Sequence, residues 1–178
     1  MEPIPRVTAR VLPVNPDGEV LLLQDVDPAV PDVQRWGTIG GALDPGESHH
    51  EAAVREMFEE TGLVIDPSAL TPPVHRSTRE FSWAGVHYRS ENTFFAMPMA
   101  ADVEVSFDHL VPEEVGSVLA WARMSGRSSA TAPPSAARAD GVHQPQASTD
   151  PTSSGTRWSK ETSTSAAIGI AKKVFSLR

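Results

Sequence analysis

The residues best suited to chemistry are three glutamates, Glu56, Glu59 and Glu60, which lie within one short stretch of the chain. If the stretch is helical, successive residues turn by about 100°, so the other two carboxylates fall at about −60° and +40° from Glu56. Like charges this close repel by roughly 0.2–0.5 kcal/mol per pair. Carboxylate oxygens suit a hard cation such as Mg²⁺ or Mn²⁺. The cluster therefore predicts a metal site, and the alternative is a solvated acidic helix face.

Local signals predict the helix that would hold these glutamates. Ser48 and Glu51 fit the S-x-x-E capping box that starts a helix, and Gly62 stands where a left-handed C-terminal cap belongs. The predicted helix therefore covers about residues 48–61. Its predicted core-facing stripe lies opposite the acids and consists of Val54, Met57, Phe58 and Thr61.

The spacing around the acids is more specific than the acids alone. Gly41 is followed after five residues by Glu47, and after seven more by Arg55 next to the first of the three glutamates; Gly62 closes the pattern. Seven fixed identities, each at about 5–7% usage, match by chance on the order of 10⁻⁹ times per position. Residues 41–63 resemble the signature box of the Nudix hydrolases and depart from it nowhere.

The resemblance extends over about residues 6–123 and implies a fold and an activity. The implied fold class is α/β: a Nudix fold, with an α/β/α sandwich around a mixed β-sheet. The implied activity is Mg²⁺- or Mn²⁺-dependent hydrolysis of a nucleoside diphosphate linked to another moiety, by attack of water on phosphorus. Nucleoside triphosphates, ADP-ribose and nucleotide sugars are the substrate types that it leaves open. The alternative is a non-catalytic module that senses a nucleotide, although such modules usually lose the glutamates.

Site roles follow from the same resemblance. The implied metal ligands are Glu56, Glu59, Glu60 and the backbone carbonyl of Gly40. The implied supports of the site are Gly41, Glu47, Arg55 and Gly62. Arg55 is expected to pair with one acid, either Glu47 or Glu59.

The implied catalytic carboxylates are Glu56, Glu59 and Glu114. The general base is either Glu56 or a loop acid, and among the loop acids Glu113 and Glu114 are favoured because they precede the last apolar stretch. For Gly40, a plain tight turn is the alternative to metal contact.

Two hairpins are predicted from apolar runs and turn residues. Residues 6–14 and 19–24 flank Asn-Pro-Asp-Gly, and residues 74–83 and 86–97 flank Ala-Gly. Residues 63–65 predict a short strand, and residues 119–123 predict the last one. Weaker candidates for substrate binding are Arg35, Arg79 and Tyr88, where an arginine would grip phosphate and an aromatic ring would stack on a base. The alternative is ordinary strand alternation with surface charges.

The charge composition limits the kinds of binding partner that are expected for the protein. Residues 1–123 carry 20 acids and eight bases, all arginine, whereas residues 124–178 carry three acids and seven bases. So acidic a domain favours a small phosphorylated nucleotide and disfavours a nucleic-acid polymer. There is no cysteine, no apolar signal core and no apolar run of membrane length, so no membrane partner and a cytoplasmic location are expected. The sequence is also compatible with a homodimer.

The composition changes after the predicted last strand. Residues 125–167 contain no Leu, Ile, Phe or Met, and such a segment cannot bury enough apolar surface to offset its ordering entropy. We therefore divide the chain into a Nudix hydrolase domain, residues 1–123, and a disordered low-complexity tail, residues 124–178. The tail is interpreted either as a natural extension or as the product of a frame change in the gene.

Overall fold

The computed structural model describes residues 2–110 and 118–125. These form six strands, one α-helix and one short 3-10 turn, in the order β1 Ile4–Val14, β2 Glu19–Val26, β3 Gln34–Gly37, α1 His49–Thr61, the 3-10 turn Pro67–Ala69, β4 His75–Trp83, β5 Val86–Pro98 and β6 Val118–Ser125. Glu113 and Glu114, and all but two residues of the predicted tail, lie outside the described residues. No helix in the described part of the chain is long and apolar enough to cross a membrane.

The sheet is mixed, as predicted. Its order is β3-β2-β1-β5-β4, with β6 paired to β2. β1 runs parallel to β5, and the other pairs are antiparallel. The pairing of β1 with β2 is confined to their turn, at Val14 and Val20. Beyond that point residues 39–43 take the place of β2 beside β1, with hydrogen bonds such as Val11 N to Ile39 O at 2.8 Å.

Both predicted hairpins are present, although the two strands of the first pair only beside their turn. In the first turn, the side-chain oxygen of Asn15 accepts hydrogen bonds from the backbone N–H groups of Asp17 (3.1 Å) and Glu19 (2.9 Å). In the second turn, Ala84 and Gly85 both have positive φ, 51° and 78°, as a two-residue turn of this kind requires. The last strand is also confirmed and runs from Val118 to Ser125.

The predicted strand at residues 63–65 is wrong. These residues have no strand pairing: Leu63 and Ile65 pack against the core while Val64 is 85% exposed. Their alternating burial arises because the chain leaves the helix cap along the edge of the core. β3 was not predicted, because four residues in a loop rich in polar side chains give little periodic pattern.

The helix caps are as predicted, but the buried face is not. Ser48 and Glu51 form the capping box, and Gly62 is left-handed with φ 73°. Met57 and Thr61 are buried, whereas Val54 is only partly buried and Phe58 is 40% exposed. The buried face instead includes Ala52, Ala53 and Glu56. The two small alanines let the helix approach the sheet closely, and Glu56 is thereby brought into the buried face.

Candidate active site

Arg55 is the centre of the hydrogen-bond network around the glutamates. All five of its N–H donors are used. Nε and Nη2 bind the two carboxylate oxygens of Glu47 at 2.9 and 3.0 Å, and Nη2 also donates to Ala42 O at 2.9 Å. Nη1 donates to Glu56 Oε1 at 2.9 Å and to Glu59 Oε2 at 2.8 Å. The expectation that Arg55 pairs with one acid is therefore wrong, because its planar fork serves three.

The charges in this network shift one another. Hydrogen bonds from Arg55 hold the pKa of Glu47 below its ordinary value, and the same carboxylate raises the pKa of Arg55. Glu56 behaves oppositely: its burial raises its pKa, and Arg55 offsets this only in part. Glu47 is thus held as a stable carboxylate, while the charged form of Glu56 is disfavoured by desolvation.

Glycine at positions 40 and 41 allows two of the glutamates to approach the backbone. A Cβ on Gly41 would lie 2.3 Å from Glu56 Oε1, and a Cβ on Gly40 would lie 2.1 Å from the carbonyl oxygen of Ala9. Gly40 also has φ 126°, a backbone angle that residues other than glycine rarely adopt. Its N–H donates to Glu60 Oε2 at 2.7 Å. The paired glycines therefore bring the helix glutamates directly against the loop beside β1.

Arg10 reaches the same loop from β1, and the sequence reading missed it. Its Nη1 donates to the carbonyl oxygens of Gly40 and of Thr38, the latter at 3.3 Å. Burial lowers the pKa of Arg10, and nearby Glu60 opposes that shift. The carbonyl of Gly40 thus already has a cationic partner. A pattern that could have indicated Arg10 is its two-residue alternation with Arg6 and Thr8 on one face of a strand.

The donor set fits a divalent cation by its chemistry. Four carboxylates, those of Glu47, Glu56, Glu59 and Glu60, meet the two guanidinium groups of Arg55 and Arg10, which leaves an excess of negative charge. The contacts with Arg55 use one oxygen each of Glu56 and Glu59, so the second oxygen of each remains for a cation. Within residues 2–110 and 118–125, no three His, Cys, Asp or Glu side chains already surround a common point. The site is therefore a set of oxygen donors organised by Arg55 and Gly40, and not a preformed cage.

A cleft of about 450 Å³ opens beside these residues. Glu56, Glu60, Gly40 and Gly41 form one wall of it. Alternate residues of three neighbouring strands form its floor, because the pairing of β1, β5 and β4 places them on one face. The cleft is lined by four arginines (Arg6, Arg10, Arg35 and Arg79) and four aromatic residues (Trp36, Phe81, Trp83 and Phe94).

The three weaker candidates for substrate binding do not all lie in the cleft. Arg35 and Arg79 line the cleft, but Tyr88 does not. The Tyr88 ring instead stacks on Phe81, with centroids 5.6 Å apart, and lies 5.1 Å from the guanidinium carbon of Arg6. Tyr88 therefore contacts two lining residues without lining the cleft itself. The described acids of the following loop, Asp102, Glu104 and Asp108, are all exposed and none lines the cleft. Glu113 and Glu114 stay a prediction.

Residues that lie far apart in sequence complete the cleft. Asn92 Oδ1 accepts hydrogen bonds from Thr8 Oγ1 at 2.8 Å and Ser90 Oγ at 3.0 Å, which joins β1 to β5 across the floor. Asp25, opposite Arg35 in the β2–β3 register, lines the far wall. The two-residue alternation of Ser77, Arg79, Phe81 and Trp83 along β4 was the available indication of this surface.

Comparisons with known proteins agree with this architecture. The chain is 46% identical over 54 residues to a Bacillus subtilis protein provisionally named 8-oxo-dGTP diphosphatase, covering 30% of this chain and 33% of that one. It is 39% identical over 61 residues to the RNA pyrophosphohydrolase of Erythrobacter litoralis, covering 34% and 36%. The matches thus span about a third of the length of each of these relatives.

Solved structures share the fold at lower identity. The E. coli dihydroneopterin triphosphate pyrophosphohydrolase superposes with a TM-score of 0.51 at 21% identity, over 69% of this chain and 84% of that one. A C. elegans Ap4A hydrolase in a binary complex superposes with a TM-score of 0.52 at 18% identity, over 97% and 99%. The model of the NUDIX domain matches residues 4–132, which is more than half of the chain. The chain therefore belongs to the NUDIX domain family.

Proposed function

We propose that this chain is a Nudix hydrolase that cleaves a nucleoside diphosphate linked to another moiety. The observation that carries the proposal is the meeting of two surfaces: glutamates organised by Arg55 and the paired glycines lie against a cleft lined by arginines and aromatic rings. The first surface suits a divalent cation, and the second suits phosphates and a base. The names of the two curated relatives, a diphosphatase and a pyrophosphohydrolase, support the same reaction class.

The cleft provides the binding. Four of the eight arginines in residues 1–123 line this one cavity, in a domain that is otherwise strongly acidic. A guanidinium group can donate two parallel hydrogen bonds to two oxygens of a phosphate. Arg35 and Arg79 stand on opposite walls, on β3 and β4, and would hold the phosphates between them. Trp36 and Trp83 offer flat faces on which a nucleobase would stack.

Glu56, Glu59 and Glu60 would hold Mg²⁺ or Mn²⁺. When bound, the ion supplies positive charge to the phosphoryl oxygens as negative charge grows on them. The carbonyl of Gly40 is a further candidate ligand, but Arg10 already donates to it. Arg55 does not itself line the cleft, and it acts by fixing the orientation of Glu56 and Glu59.

The chemical step needs a water and a base. A water oxygen attacks phosphorus, a P–O bond of the diphosphate breaks, and the water's proton passes to a carboxylate. Glu56 is the described carboxylate best suited to accept it, because burial raises its pKa and it lines the cleft. Glu59 and the predicted loop acid Glu114 are the alternatives. The products are a nucleoside monophosphate and a phosphorylated remainder, or pyrophosphate when the substrate is a triphosphate.

A substrate panel tests the proposal. Nucleoside triphosphates (oxidised ones included), ADP-ribose, nucleotide sugars and dinucleoside polyphosphates are incubated with Mg²⁺ or Mn²⁺ in ¹⁸O-labelled water. We expect at least one compound to be cleaved, with ¹⁸O in one phosphate-bearing product and no cleavage in EDTA. Binding of these compounds without turnover would support the nucleotide-sensing alternative. Equal cleavage in EDTA would remove the metal from the proposal.

A further inference from the structure

Asp27 makes a contact that the reaction does not explain. Its side chain follows the end of β2, is only 3% exposed, and yet carries no charged partner among the contacts described. Its Oδ1 accepts two backbone hydrogen bonds, from Ala29 N at 2.9 Å and from Ala84 N at 2.8 Å. The first shapes its own loop. The second reaches 57 positions along the chain to the tip of the β4–β5 hairpin.

This second bond crosses the sheet. β2 and β4 are not neighbours, because β1 and β5 lie between them. A hydrogen bond between the end of β2 and the tip of β4 therefore requires the sheet to curl until its two sides meet. Asp25 and Trp83, the residues two before Asp27 and one before Ala84, both line the cleft. The bond thus spans one end of the cleft and joins its opposite walls.

The hairpin tip has a conformation that such a bond would help to hold. Ala84 has φ 51° although it carries a Cβ. A non-glycine residue in this region is strained, and the conformation persists where the surroundings fix it. The buried carboxylate of Asp27 is one such restraint, and Trp83 immediately precedes the residue it holds.

We propose that Asp27 is a positioning residue that fixes the β4–β5 tip over the end of the cleft and thereby sets where Trp83 meets the substrate's base. The effect on substrate binding rests on the proposed function, whereas the restraint of the hairpin tip by Asp27 does not. Asp27 makes none of the described contacts that hold the candidate metal ligands. Its loss should therefore weaken binding and leave the chemical step largely intact.

The restraint of the hairpin tip by Asp27 is tested first, by amide hydrogen exchange in the wild-type protein. We expect the Ala84 amide to exchange at least ~10-fold more slowly than the neighbouring Gly85 amide, because it is bonded to a buried acceptor. Exchange of Ala84 as fast as an open turn amide would overturn the inference, without any variant. This result does not depend on whether the protein hydrolyses anything.

Variants then test the functional part. Asp27→Ala removes the acceptor, Asp27→Asn keeps an acceptor oxygen, and Asp32→Ala removes an exposed aspartate from the same loop as a control. For the best substrate of the panel, we expect Asp27→Ala to raise KM by at least ~10-fold with kcat within ~3-fold, since only binding is lost. Asp27→Asn and the control should stay near wild type. An unchanged KM in Asp27→Ala, or a loss confined to kcat, would overturn the assignment.

Discussion

Arg55 and Glu47 form a two-point ion pair, with Nε 2.9 Å from Oε1 and Nη2 3.0 Å from Oε2. The same Glu47 Oε2 accepts the N–H of Asp44 at 2.9 Å, so the pair ties the loop before the helix to the helix itself. The two donors on Nη1 of Arg55 reach two candidate metal ligands, Glu56 and Glu59. One guanidinium therefore couples the shape of the loop to the orientation of the site.

Replacement of Arg55 should harm both stability and activity. Arg55→Ala leaves the carboxylates of Glu47 and Glu56, both largely buried, without their cation, and we expect a loss on the order of 3 kcal/mol in the free energy of unfolding. Arg55→Lys keeps the charge but cannot form the fork, so it should restore only part of the stability and little of the turnover. Chemical denaturation and initial rates measure these effects. A lysine variant equal to wild type in both would show that charge alone is needed.

The Glu47 carboxylate should stabilise the fold in a pH-dependent way. Its pKa is held below the ordinary 4.5 by hydrogen bonds from Arg55. Its contribution is therefore fully present above about pH 4.5 and is lost as the pH falls through the lowered pKa. We expect the difference in unfolding free energy between wild type and Glu47→Gln to be largest near pH 7 and to shrink below pH ~4.5. Urea titrations over this range measure it, with Glu104→Gln, on an exposed loop, as the control for charge loss. A difference that grows toward low pH would contradict the ion pair.

Alanine at the two adjacent glycines should separate fold from function. At Gly41 the new Cβ meets the movable carboxylate of Glu56. We expect Gly41→Ala to keep a near-normal melting temperature but to lower turnover on the order of 10²-fold through misplacement of that carboxylate. At Gly40 the Cβ meets the backbone of Ala9 and the φ is unfavourable. Gly40→Ala should therefore lower the melting temperature first. Wild-type turnover in Gly41→Ala would show that the close approach of Glu56 is unimportant.

Local features of the fold were predictable, because their causes lie within a few residues. The capping box of Ser48 and Glu51 and the αL cap at Gly62 fixed the helix ends correctly. The Asn-Pro-Asp-Gly turn predicted the first hairpin through the side chain of Asn15. The box also led to the expectation that Arg55 pairs with Glu47 or Glu59, and the structure shows it bonded to both and to Glu56 as well.

The remainder depends on contacts between distant residues. Helical periodicity placed the glutamates on one face, but it could not show that Glu56 is buried. That burial follows from how closely Ala52 and Ala53 let the helix pack on the sheet. The parallel pairing of β1 with β5 brings Arg10 and Asn92 to one surface, and nothing local specifies it. The bond from Asp27 to Ala84 depends on the curl of the whole sheet.

Turnover by glutamine variants of the three glutamates tests the central claim most directly. Glu56→Gln, Glu59→Gln and Glu60→Gln are assayed at saturating Mg²⁺ beside Glu51→Gln, which keeps its side chain's capping role and lies outside the cleft. Because each of the three changes removes a charge that would hold the ion, we expect each to lower kcat by at least on the order of 10²-fold, while the Glu51 variant stays near wild type. Losses of only a few fold in all three would contradict the claim that these glutamates form the metal site of a hydrolase.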